Sequence, residues 1–156
     1  MVGILHTPVS AVHLVAVLLS LLAGTLVVAR PKGTRWHRQL GRLYAGSMTV
    51  VLATAFCIYT LFGRFGIIHW GALASVMALA LGVGAAWSRA LLPGWLRWHY
   101  LGMGASVTGL YAALVVESTY RFFPVSYFWW STLGPASVIF LLGGVVLHRH
   151  YPRWVA

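Results

Sequence analysis

Residues 8–29 read PVSAVHLVAVLLSLLAGTLVVA, a run without a single charged side chain. A helix needs about 20 consecutive apolar residues to cross the hydrocarbon core of a bilayer. Thr7 and Pro8 supply an N-cap and a first helical residue at the start of the run. The breaker cluster from Arg30 to Gly33 ends it. The run therefore predicts a membrane-spanning helix, Pro8–Ala29.

Four more apolar runs follow the first one. The chain has 156 residues, of which 60% are hydrophobic and 8% charged, whereas soluble domains are about one quarter charged. We therefore expect an all-α membrane protein with five transmembrane helices in a single polytopic domain, 1–156. The predicted spans are Pro8–Ala29, Leu43–Phe62, Ile67–Trp87, Tyr100–Val116 and Tyr127–Leu147.

The distribution of positive charge predicts the orientation. The chain has 11 Lys and Arg residues against one acid. Nine of the basic residues fall on one side of the five predicted spans, and Arg64 and Arg121 fall on the other. The positive-inside rule then places the N-terminus outside and the C-terminus in the cytoplasm of a plasma (inner) membrane. Because the basic residues lie between apolar runs, the expected partner is a lipid bilayer and not a nucleic acid.

Four histidines fall into two pairs at the ends of the predicted spans. His13 and His69 lie near the outer start of spans one and three. His37 and His99 lie near the inner surface, each at the end of the tripeptide Arg-Trp-His (residues 35–37 and 97–99). Ionisable side chains at such positions point to function by default. The same pattern suggests a repeat of units 8–62 and 67–117 in a four-helix bundle, with 127–147 as an added helix.

Each histidine pair suits a bis-histidine haem b. Facing helices of a bundle commonly build cofactor sites in its interior, and glycines near the histidines offer room for the haem plane. Arg35, Arg38 and Arg97 suit the anionic propionates at the cytoplasmic edge. The hypothesis is an electron carrier across the bilayer that needs a quinol or a redox protein as partner.

Two alternatives stay open at this point. A transition-metal binding or transport protein would use His13, His69 and Glu117, or the inner histidines, to hold a Zn, Cu or Fe ion. Glu117 follows His99 by five helical turns and therefore shares its face. In a non-catalytic membrane subunit, the histidines and glycines would serve packing. A Ser-His-Asp hydrolase is not expected, because Asp is absent.

One segment carries a resemblance to a known family. Residues 32–44 read KGTRWHRQLGRLY, with Met48 behind them. The segment resembles a family of predicted prokaryotic integral membrane proteins of unknown function, whose signature is K-G-T-x-x-H-R-x-x-G-R-x-Y. The positions of His13, His69 and His99 also match that family, so the resemblance implies a role for the four histidines without naming their chemistry.

A looser likeness concerns architecture alone. The two-haem, ascorbate-linked transmembrane cytochromes b are similar in arrangement, with a four-helix core and a histidine pair at each membrane face. This likeness implies haem as the cofactor, by analogy at the level of architecture.

Overall fold

The computed structural model describes residues 7–59, 63–119 and 122–151, and within these ranges the chain is helical without strands. A short 3₁₀ turn, Val125–Tyr127, precedes the last helix. The all-α prediction is confirmed, and two predicted spans match helices end to end. The helices are α1 Pro8–Ala29, α2 Arg35–Ala55, α3 Ile67–Trp87, α4 Trp95–Thr119 and α5 Phe128–Arg149.

Four of these helices, α1, α3, α4 and α5, are long and apolar enough to cross a membrane. The second helix, α2, which the sequence also predicts as a span, is not among these candidates. This helix begins at Arg35, eight residues before the predicted Leu43, because the Thr34 side chain accepts the His37 N–H and caps it there. Its first two turns therefore carry arginines. The predicted end of span two, Phe62, lies outside the described residues.

The described chain divides into two compact units, the first ending at Val76 and the second beginning at Met77. The boundary falls inside α3.

In the first unit, α1 and α2 form an antiparallel hairpin. The buried side of α1 is made of small residues, and α2 packs larger ones against it. Two hydrogen bonds set the register: His13 lies opposite Thr54, and Ser20 lies opposite Ser47. The helices therefore run side by side over most of their length. The buried residues are Ala16, Ser20, Ala23, Gly24 and Val27 on α1, and Tyr44, Met48, Val51 and Leu52 on α2.

The turn between α1 and α2 is held by Lys32. Its Nζ donates to the carbonyls of Val27, Val28 and Arg30, at the end of α1 where helix carbonyls lack intrahelical partners. A cation there also complements the helix dipole. Partial burial lowers the pKa of Lys32 from its usual value. Gly33 follows with a φ of 77°, a conformation that glycine adopts without strain.

In the second unit, glycines bring α4 into close contact with α3 and α5. A methyl group on Gly102 would lie 2.7 Å from the Cα of Gly82 and 2.8 Å from the carbonyl oxygen of Ala78. A methyl group on Gly104 would likewise lie too close to the Leu147 side chain. The Tyr100 hydroxyl donates to the Leu147 carbonyl at 3.0 Å. Small residues thus allow close backbone approach, as is typical of packed membrane helices.

Candidate functional site

His13 binds the neighbouring helix through its Nδ1 atom. This atom lies 2.7 Å from Thr54 Oγ1. The Thr54 hydroxyl donates its hydrogen to backbone carbonyls of its own helix, to Val50 at 2.7 Å and to Val51 at 3.0 Å. Since that hydrogen is used, Thr54 Oγ1 accepts from His13 Nδ1–H. The neutral imidazole therefore carries its lone pair on Nε2.

His99 has the same tautomer for a simpler reason. Its Nδ1 lies 2.8 Å from the carbonyl oxygen of Gly82 on α3. A carbonyl only accepts, so Nδ1 carries the hydrogen and Nε2 carries the lone pair. A histidine that donates one ring N–H to a backbone carbonyl has the arrangement that metal-ligating histidines usually show.

His69 has the opposite tautomer. The backbone N–H of Gly66 donates to His69 Nδ1 at 3.2 Å, and a backbone N–H only donates. The hydrogen of the neutral ring must then lie on Nε2. In this state neither ring nitrogen can bind a metal unless the bond to Gly66 breaks.

The surroundings of His69 indicate a structural role. Gly66 directly precedes α3 and His69 is its third residue, so the side chain satisfies an otherwise unpaired N–H, as the third residue of a capping box does. The ring is 5% exposed and stacks on Tyr59 and Phe65, with centroid distances of 4.6 and 4.9 Å. Among the described residues, no acceptor lies within hydrogen-bond distance of its buried Nε2.

His37 lies in the first turn of α2, where its backbone N–H donates to the Thr34 hydroxyl at 3.1 Å. It precedes the buried Tyr44 by seven residues and therefore shares the packed side of the helix. Both Arg-Trp-His tripeptides lie in the first turns of a helix, whereas the sequence prediction placed them in the loops before the spans. The pairing of His37 with His99 joins residues of the two units, and it stays a prediction.

The predicted propionate partners are exposed. Arg38 donates from Nη1 to the Gly33 carbonyl at 2.9 Å, and Arg97 lies over the adjacent Trp98 ring at 5.8 Å. Arg35 lies two residues before His37. At about 100° per residue this places it about 160° around the helix from His37. Arg35 is exposed and lies on the opposite side of α2 from His37.

The glycines near the histidines divide into two groups. Neighbouring helices of the second unit occupy the space beside Gly82, Gly102 and Gly104, so these positions serve helix packing. For Gly41, Gly46 and Gly84, no atom of the described residues lies within 4 Å of an added methyl group, so packing within the described chain does not require glycine at these positions.

The metal hypothesis needs at least three ligands at one place. Within the described ranges, no group of three His, Cys, Asp or Glu residues is close enough to hold a metal ion. The third predicted ligand, Glu117, is partly buried near the end of α4.

Comparison of the chain with models of known families, with curated proteins and with solved structures found no match.

Sequence reasoning missed the residues that decide the histidine tautomers. Thr54 and Gly82 carry no signal, because their roles depend on how two helices align. Gly66 did carry one: the predicted start of α3 at Ile67 makes Gly66 the N-cap and His69 the third helical residue. Capping logic would have assigned that histidine a structural role.

Proposed function

We propose that the chain is an integral membrane protein that binds one haem b with His99 as a ligand and carries electrons. The observation that supports this most is the bond from His99 Nδ1–H to the Gly82 carbonyl. It leaves the ligand electron pair on Nε2 and orients the ring. When bound, the haem would supply one-electron chemistry. The chain's own residues hold and orient the imidazoles.

The outer pair is not part of this proposal as a haem site. His13 has the tautomer of a ligand, but its predicted partner His69 carries its hydrogen on Nε2 and caps α3 with Nδ1. A second bis-histidine haem would require His69 to lose that cap. The proposal is therefore one haem per chain.

The proposal includes α2 as a fifth membrane-inserted helix. Its composition alone does not qualify it, but its register along α1 does support insertion. With His13 opposite Thr54, residues 38–55 accompany α1 from Ala29 to Val12. An odd number of spans keeps the predicted orientation, with the N-terminus outside and the C-terminus in the cytoplasm of the plasma membrane.

An absorption experiment with two matched variants tests the haem. Protein purified in mild detergent from haem-replete cells is reduced, and haem is counted per chain. We expect a low-spin haem b spectrum at one haem per chain. His99→Asn keeps a donor near the position of Nδ1 for Gly82 but removes the ligand, so haem is lost. His69→Asn keeps an acceptor for Gly66, so haem is retained.

Wild-type protein without haem would contradict the proposal, and so would equal loss of haem in both variants. Elemental analysis of the same samples covers the metal alternative: a Zn, Cu or Fe ion at one per chain, removed by His13→Asn, would favour it instead.

A second candidate, a non-catalytic membrane subunit, is favoured by a specific observation. His13 and His99 each join two neighbouring helices, and the glycines beside His99 are filled by packing. This candidate predicts that His99→Asn, which retains the bond to Gly82, leaves every property of the protein unchanged.

A further inference from the structure

A stripe of positive charge runs along α2 in the first unit. Arg35, Arg38 and Arg42 repeat at intervals of three and four residues, so they lie along one side of the helix. All three are exposed. We call these three residues the arginine stripe.

The stripe faces away from the packed side of the hairpin. Arg42 is five residues after His37, about 140° around the helix at about 100° per residue, and Arg35 is about 160° away. His37 shares the side of Tyr44, which is fully buried. A group bound on the side of His37 is therefore a poor partner for Arg35 and Arg42.

The charge of the stripe is not neutralised within its own unit. The chain's one acid is Glu117, which belongs to the second unit. Arg30 and Lys32 add positive charge in the adjoining turn. Five basic residues therefore lie within 13 positions and lack a carboxylate in the same unit.

The register of the hairpin gives the depth of the stripe. The 22 residues of α1 extend about 33 Å, close to the roughly 30 Å of a bilayer core, so Ala29 lies at the membrane surface. Continuing the register from Ser20 and Ser47 places Arg38 opposite Ala29 and Arg42 opposite Thr25, one turn deeper. An arginine one turn inside the core reaches the headgroups by extending its side chain.

Trp36 supports this depth. Its indole is 69% exposed and lies between Arg35 and His37. Exposed tryptophans are enriched where the hydrocarbon core meets the headgroups. Arg38, held by the Gly33 carbonyl, keeps part of the stripe in place.

We propose that the arginine stripe binds the phosphates of anionic lipid headgroups at the membrane surface. Guanidinium groups pair with phosphate oxygens through two parallel hydrogen bonds, and a polybasic segment next to a membrane helix recognises anionic lipids. The site does not depend on whether the chain binds haem.

Native mass spectrometry of the full chain in mild detergent tests this site. The probes are phosphatidylglycerol, phosphatidylcholine with the same acyl chains, and inorganic phosphate. We expect preferential binding of phosphatidylglycerol. In the variant Arg35→Gln/Arg38→Gln/Arg42→Gln, we expect the preference for phosphatidylglycerol to fall roughly 100-fold, because each arginine contributes about fivefold.

A matched control removes the same charge elsewhere. Arg64→Gln/Arg89→Gln/Arg149→Gln also exchanges three exposed arginines, and we expect it to keep the preference. Equal loss in both triple variants would reduce the effect to net charge and overturn the proposal. So would equal binding of the two lipids, or binding of inorganic phosphate that displaces phosphatidylglycerol.

A measurement on the wild-type chain does not depend on how the variants fold. The preference for phosphatidylglycerol should fall as salt rises from 0.05 to 0.5 M, because exposed charge pairs are screened (the Debye length is about 10 Å at 0.1 M). A preference that stays constant over this range would contradict phosphate recognition.

Discussion

His99 and His69 are the same residue type near the start of neighbouring helices, yet their rings are protonated on opposite nitrogens. His99 donates to a carbonyl of another helix, Gly82, whereas His69 accepts from an N–H directly before its own helix, Gly66. The first bond depends on how α3 and α4 pack, and the second depends on local chain geometry. The partner of Nδ1, and not the position of a histidine in a span, therefore decides whether Nε2 has the lone pair that a ligand needs.

The largest expected effect comes from breaking the contact that positions His99. Gly102→Val places side-chain atoms against the backbone of Gly82 and Ala78, which cannot move aside as a flexible side chain would. We expect a loss of about 3 kcal/mol in the free energy of unfolding, measured by denaturant titration in mixed micelles, together with loss of haem. Gly84→Ala is the control, because no atom of the described part of the chain lies within 4 Å of the added methyl group. Similar losses in both variants would show that α3 and α4 do not pack at Gly102.

The next largest expected effect comes from His69→Ala. It removes a buried ring that stacks on Tyr59 and Phe65, and it also removes the cap on Gly66. We expect a loss of about 2 kcal/mol in the free energy of unfolding from the cavity and the missing cap. His69→Asn restores the acceptor but not the stacking, so it should recover only part of the loss. An unchanged stability for His69→Ala would contradict the structural role.

How far the sequence predicts the molecule depends on whether local or tertiary features decide each element. The bounds of α1 and α3 follow from apolar runs that end at Arg30 and begin after Gly66, so they are predictable. The start of α2 is set by the Thr34 cap. The sequence prediction followed the apolar run of residues 43–62 and overlooked this local signal. The tautomers of His13 and His99 are not predictable from one sequence, because Thr54 and Gly82 become their partners only when helices align.

His99→Ala tests the contact between α3 and α4 at His99. Its bond to Gly82 joins two helices, but the Gly82 carbonyl keeps its place in the helical ladder of α3 when the histidine is removed. We therefore expect a loss of only about 1 kcal/mol in the free energy of unfolding. His99→Asn should recover most of that stability while still lacking haem. If His99→Ala destabilised the protein more than His69→Ala, packing around His99 and not its hydrogen bond would dominate.

The smallest expected effect is at Ser20, where a bond also joins two helices. Ser20 Oγ donates to Ser47 Oγ at 2.8 Å, and Ser47 in turn donates to the Tyr44 carbonyl at 3.2 Å. Ser20→Ala removes the first donor but leaves the Ser47 hydrogen bonded, so no buried donor is left without a partner. Hydrogen bonds between membrane helices average about 0.6 kcal/mol, and we expect a loss of that size or less in mixed-micelle unfolding.

Ser20→Val is the companion change. Ser20 is fully buried on the side of α1 that faces α2, so the added methyl groups should push the hairpin apart and cost about 1–3 kcal/mol. Equal losses for Ser20→Ala and Ser20→Val would mean that the lost hydroxyl pair, and not close packing, decides the stability of the hairpin at this position. The register that places the arginine stripe at the membrane surface would then depend on the two side-chain hydrogen bonds, from Ser20 to Ser47 and from His13 to Thr54.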